Sequence, residues 1–171
     1  MFGLFKQDTI DKDAARRWRD AVTTEARRPE PYLKGWVTDT IYGRFNMVTL
    51  IATLAMRRLR EEGREGQARS KAFAELLFSD FDHALRENGV GDSSIARRIR
   101  KMGEEFYGLA KAIDEALELG GPQEQVATVL KRNGIQRDNE LALELASHIL
   151  AVSERIERLS ASVILSGPDA I

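Results

Sequence analysis

The residues best suited by type to chemistry are few: two histidines, His83 and His148, in a chain without cysteine. A helical bundle can house a di-iron centre, but that needs inward carboxylates and two Glu-x-x-His pairs on facing helices. Asp80 stands three residues before His83, at the required spacing, whereas the residue three before His148 is Leu145. The second pair is missing, so no metal site is expected. The absence of cysteine excludes disulfides, thiolate ligands and a thiol nucleophile, and it suits a reducing compartment. No Gly-rich phosphate loop, Ser-His-Asp arrangement or nucleotide fingerprint is present. These absences point to a protein that is not an enzyme and needs no cofactor. His148 falls in an apolar helical stripe and reads as a buried imidazole bonded to a neighbour.

Asp80 is more informative than either histidine. On a helical wheel it lies between Leu76 and Ala84, inside an apolar arc, where a carboxylate needs a cation. Arg44 and Arg98, each at the margin of another apolar face, are the expected partners in a structural ion pair, and Asp80→Asn should then destabilise the fold. The run Arg97-Arg98-Ile99-Arg100-Lys101 is the densest basic cluster. It can meet RNA or anionic lipid headgroups, but no aromatic is interleaved, which favours a solvated basic face. The formal net charge of -1 argues against a general nucleic-acid binder, and no DNA partner is expected. Residues 1–101 carry 20 Lys and Arg against 15 Asp and Glu, while residues 102–171 carry 6 against 12. That asymmetry is compatible with one mildly basic end or with ordinary helix surfaces of scattered charge.

These residues must be positioned by helices. Nearly every segment between Gly and Pro punctuation has helical periodicity and none reads as a strand, which predicts an all-α, single-domain helical bundle of about six helices spanning residues 1–171. A first helix over about 9–27 presents Ala14, Trp18, Ala21 and Val22, and Pro29 and Pro31 stop it. An irregular link over 32–37 follows. A second helix over about 39–62, capped by Thr38 or Asp39, contains twelve uncharged residues at 45–56. A membrane span needs about 20 such residues, so this is a central helix packed on several sides. After a soft linker at 63–66, a third helix over about 68–88 carries Phe73, Leu76, Leu77, Phe81 and Ala84, with Phe78 and Leu85 widening the stripe. That width requires a second neighbouring helix or a partner protein. A turn at 88–93, with Asp92 or Ser93 as N-cap, leads to a fourth helix over about 93–119 with Ile95, Ile99, Met102, Phe106, Ala110, Ile113 and Leu117 inward. C-terminal helices are expected over 122–133 and 139–165, ending in a polar tail. The opening residues 1–6 are apolar too briefly for an export signal or transit peptide, so a cytoplasmic protein is expected.

Several of these segments carry a family likeness. Asp39-Thr40 with Gly43-Arg44-Phe45, then Arg57-Arg58-Leu59, open and close the second helix. Leu77-Phe78-Ser79-Asp80-Phe81-Asp82, then Leu85-Arg86-Glu87-Asn88-Gly89-Val90-Gly91-Asp92, and Phe106-Tyr107-Gly108 follow. Together they resemble the ubiquinol-cytochrome c chaperone family over about 18–117. Leu109 and Ile113 stand where the family pattern has Arg and Tyr, and the His expected in the second helix is absent. The resemblance implies a chaperone that binds newly synthesised cytochrome b, or an early assembly intermediate of it, during biogenesis of the ubiquinol-cytochrome c reductase (bc1) complex. It implies a ribosome or a small co-chaperone as further partners, and a bacterial member working peripherally at the inner face of the cytoplasmic membrane.

The working surface is expected around the turn between the third and fourth helices, where the family-like segments are densest. Phe78, Leu85, Val90 and Tyr107 would form an apolar centre, with Asp82, Arg86, Asp92, Arg98 and Lys101 as a charged rim. The acidic fifth and sixth helices are the alternative place. A reading from another class is an RNA- or ribosome-associated helical module using Arg97, Arg98, Arg100 and Lys101, whose affinity would fall steeply with salt.

Overall fold

A computed structural model of the chain describes residues 2–171, with side chains described from Lys12 onward. The side chains of residues 1–11, including the short apolar opening, lie outside the described residues. The elements are α1 (Phe2–Ala26), α2 (Glu30–Leu33), α3 (Ile41–Glu61), α4 (Gly63–Glu87), α5 (Asp92–Glu118), α6 (Pro122–Arg132), α7 (Asn139–Glu157) and α8 (Ala161–Ser166). The fold is all-α, and no strand forms among the described residues.

The uncharged segment of α3 becomes the axis of the bundle. Every residue from Met47 to Met56 is buried, because α1, α4, α5, α7 and α8 all pack against this helix. Two buried threonines do not break the apolar surroundings: Thr49 Oγ1 donates to the Phe45 carbonyl at 2.9 Å and Thr53 Oγ1 to the Thr49 carbonyl at 2.8 Å. Their polar atoms are satisfied within the helix. The wide apolar face of α4 is likewise taken up inside the chain, by α1, α3, α5 and α8.

Several boundaries differ from the sequence-based expectation. The stretch at 63–66 is not a linker but the first turn of α4. A Cβ at Gly66 would collide with the carbonyl oxygen of Leu59, so glycine here lets α4 fold back directly onto the last turn of α3. The link before α3 contains the short helix α2, with Pro31 in its first turn. The cap of α5 is Gly91, without a side-chain bond, rather than Asp92 or Ser93. On α5 the buried positions are Ile95, Met102, Phe106, Leu109, Ile113 and Ala116, while Ile99, Ala110 and Leu117 sit at the margin. The last predicted helix breaks after Glu157, and Ser160 starts α8 by accepting from the Val163 amide.

That break lets the C-terminal segment turn back onto α1. Trp18 is fully buried and its indole Nε1 donates to the Ile164 carbonyl at 2.9 Å. Gly167 and Pro168, expected in a polar tail, are buried. A second tie between chain ends is ionic: Glu25, 2% exposed, pairs with Arg28 at 2.8 Å and with Arg155 of α7. A carboxylate so buried requires such partners, and both guanidinium groups still reach solvent. His148 on α7 is half-buried with its ring 5.4 Å from that of Trp36, and its Nε2 has no hydrogen-bond partner among the described residues. Burial therefore lowers its pKa, against the opposing pull of Glu25 and Glu30.

Leu54 lies at the centre of the axis, 1% exposed, and Leu54→Ala should cost about 2–5 kcal/mol in urea unfolding. His148 sets a pH dependence with a definite sign. Its folded pKa lies below the ordinary 6.5, so the unfolded chain takes the proton first as pH falls. Its contribution is fully present above about pH 6.5 and is lost as pH drops towards the folded value. Unfolding curves between about pH 7.5 and 5 should show that decline, and His148→Leu should flatten it.

Candidate functional site

The N-terminus of α3 organises a cavity. Thr40, not Thr38 or Asp39, is the cap: its Oγ1 accepts from the Gly43 amide at 3.0 Å. Gly43 is required because a Cβ there would strike the Thr38 carbonyl. The displaced Asp39 instead takes Arg44 in a two-toothed pair, 2.7 Å from Nε to Oδ1 and 3.3 Å from Nη2 to Oδ2. Hydrogen bonding to Arg44 lowers the Asp39 carboxyl pKa, and Asp39 raises that of the guanidinium. From α2, the Tyr32 hydroxyl donates to the Ala26 carbonyl at 2.8 Å, and burial raises the phenol pKa.

Between these groups and α4 lies a cavity of about 620 Å³. Phe45, Val48, Leu77, Phe81, Leu85 and Met102 give it an apolar floor, and Arg27, Asp39, Arg44 and Asp80 a charged rim. A recess of about 150 Å³ continues it past Ile41 and Leu85 to Val90 and Arg98. Ile41 and Tyr42 flank this groove at 49% and 55% exposure. Large apolar side chains so exposed beside an apolar groove suit a protein interface.

The nine residues expected to form the working surface do not make one patch. Leu85, Val90 and Arg98 line the recess. Phe78 and Tyr107 face a separate depression with Met56, Ser70 and Lys71. Phe78 is engaged internally, with ring centroids 5.6 Å from Phe81, 5.3 Å from Phe106 and 6.0 Å from Tyr107. Arg86 bridges Asp82 at 2.7 Å and Asp92 at 2.6 Å, so these three residues brace the α4–α5 turn. Lys101 lies 3.7 Å from Glu105.

The structural ion pair also differs from expectation. Asp80 meets Arg19 of α1 at 3.5 Å, with its side chain 44% exposed, while Arg44 is held by Asp39. Arg98 is exposed and makes no ion pair among the described residues. The physical reason is that Asp80 sits on the groove rim facing α1, and a helical wheel shows an arc without showing which helix crosses it. Among the described residues the carboxylate that is buried and paired is Glu25. Sequence reasoning also missed Arg27, Tyr32, Ile41 and Tyr42. The signal for the last two was an apolar pair in the first turn of α3, ahead of the buried segment.

No cluster of three or more His, Cys, Asp or Glu suited to a metal ion is formed among the described residues, and no helix there is long and apolar enough to cross a membrane.

Residues 35–169 match the family model described as ubiquinol-cytochrome C chaperone. The chain belongs to the ubiquinol-cytochrome c chaperone family. Its fold is similar to the crystal structure of the Cbp3 homolog from Brucella abortus, with a TM-score of 0.83 and 27% identity over 99% of this chain and 94% of that one. No significant match is found among curated proteins. In this member of the chaperone family the match continues beyond Leu117 through α6, α7 and α8. Part of the family-like set meets at the groove, with Asp39, Thr40, Arg44 and Phe45 from around the start of α3 and Leu77, Asp80, Phe81, Leu85 and Asn88 from α4 and its end, whereas residues 57–59 and 106–108 do not line it. Leu109 and Ile113 are buried in the core, which makes that face of α5 structural.

An exposed ion pair is weak, because water and salt screen it and two side chains must be ordered. Asp80→Asn should therefore change stability by less than about 1 kcal/mol in chemical unfolding, in contrast to the expectation from the helical wheel.

Proposed function

We propose that the protein is an assembly chaperone that receives newly synthesised cytochrome b and assists biogenesis of the bc1 complex, binding its client without catalysing a reaction. The observation that carries this reading is the family match over residues 35–169, within which the start of α3 and the second half of α4 together line a groove with an apolar floor and charged rim. The likeness to the Cbp3 homolog over nearly the whole of both chains supports it. A client whose membrane helices are not yet assembled exposes apolar surface that water disfavours. Phe81 and Ile41, the groove-lining apolar side chains that solvent reaches, can cover such surface, while Arg27 and Arg44 meet polar flanking residues. The protein would work peripherally, at the cytoplasmic side of the membrane that receives the client.

The test is genetic. Deleting the gene in a bc1-dependent strain should lower bc1 activity and spectroscopically detected haem b, and the wild-type gene should restore both. Normal bc1 activity and haem b in the deleted strain would exclude the proposal. Ala84 lines the groove without being part of the buried core. Ala84→Phe should therefore fill the groove, keep the melting temperature and restore bc1 activity only partly.

A further inference from the structure

Exposed cations that make no ion pair among the described residues occur at several places, and the start of α5 groups three of them, Arg97, Arg98 and Arg100. Of the arginines at the end of α3, Arg57 pairs with Glu118 of α5 at 3.4 Å, Arg60 with Asp114 of α5, and Arg58 with Glu62 and Glu157, and Arg86 is committed to two aspartates. Arg97 and Arg98, on the first turns of α5, are exposed and make no ion pair among the described residues. Lys101, one turn on, has only Glu105 at 3.7 Å. Arg98 lines the same recess as Ile41 and Tyr42, the two half-exposed apolar side chains that begin α3.

We propose that this corner docks on a bilayer carrying anionic lipid, with Arg97, Arg98 and Lys101 on the headgroup phosphates and Ile41 and Tyr42 entering the interface. Guanidinium groups without internal partners are free to bind phosphate oxygens in pairs. A tyrosine ring is suited to headgroup depth, where its body is apolar and its hydroxyl remains wet. An RNA partner accounts for the cations but not for an exposed isoleucine, which has no flat face for a base to stack on. Ile41 also lines the large cavity, so docking in this way brings the groove mouth to the membrane surface. The inference rests on the peripheral placement proposed above and not on the identity of the client.

The test uses the purified full chain with vesicles of phosphatidylcholine alone or with about one third phosphatidylglycerol, at low and high salt. Binding is expected to the anionic vesicles and to weaken with salt. About 1 kcal/mol per basic residue near such a surface is roughly fivefold in affinity, so R97E/R98E/K101E should lose on the order of 100-fold. Tyr42→Ser should weaken binding by a smaller factor, and both variants should keep the wild-type melting temperature. Absence of binding to anionic vesicles at low salt, or folded variants that bind like wild type, would overturn the proposal. So would tighter binding to single-stranded RNA that Tyr42→Ser leaves unchanged. Vesicle binding with normal bc1 in the deleted strain would remove the chaperone reading and leave this surface standing. Loss of bc1 without vesicle binding would do the reverse.

Discussion

The bundle depends on covering one helix from all sides. From Met47 to Met56, α3 has no face that tolerates water, and burying apolar surface is the dominant favourable term in folding. One neighbour covers only about a 100° arc of a helix, so several are needed. The chain supplies α1, α4, α5, α7 and α8. This requirement explains the direct reversal at Gly66 and the return of the C-terminal segment to Trp18. Without either, part of the α3 surface would be left open.

The same constraint places the groove. The encasing helices close around the middle and end of α3, but its first turn projects, with Ile41 and Tyr42 half-exposed. There α1 has ended, α2 is only a short turn and α4 is near its own end. The apolar floor below is the continuation of the core, since Phe45 and Leu85 belong to both. A surface built from the rim of a rigid core is pre-organised, which lowers the ordering cost of binding a partner.

Charge is arranged with similar economy. Glu25, the most buried carboxylate among the described residues, joins the end of α1 to α7 through Arg28 and Arg155. The aspartates near the α4–α5 turn hold Arg86, and the acidic end of α5 meets the arginines of α3. Much of the contrast between a basic first part and an acidic last part of the sequence is thereby neutralised internally. On α5, Arg97, Arg98 and Arg100 make no ion pair among the described residues, and Arg98 lines the recess beside the groove.

The sequence by itself determined the helical class, the central role of the uncharged segment, and the buried face of α1. These depend on local periodicity and on apolar residues that water excludes wherever they occur. The family-like segments also marked the neighbourhood of the groove. Tertiary structure alone decided which charges meet. Asp80 faces Arg19 rather than Arg44 or Arg98, and Glu25, which no wheel singled out, is the carboxylate that is buried among the described residues. It also decided that Phe78 packs among Phe81, Phe106 and Tyr107 while Ile41 and Tyr42 stay exposed. The reason is that a helical wheel fixes angles within one helix, whereas partners depend on how far each helix is shifted and rotated against its neighbours. Those offsets are set by packing the whole core at once, with contacts such as Trp18 to Ile164 spanning nearly the full length of the chain.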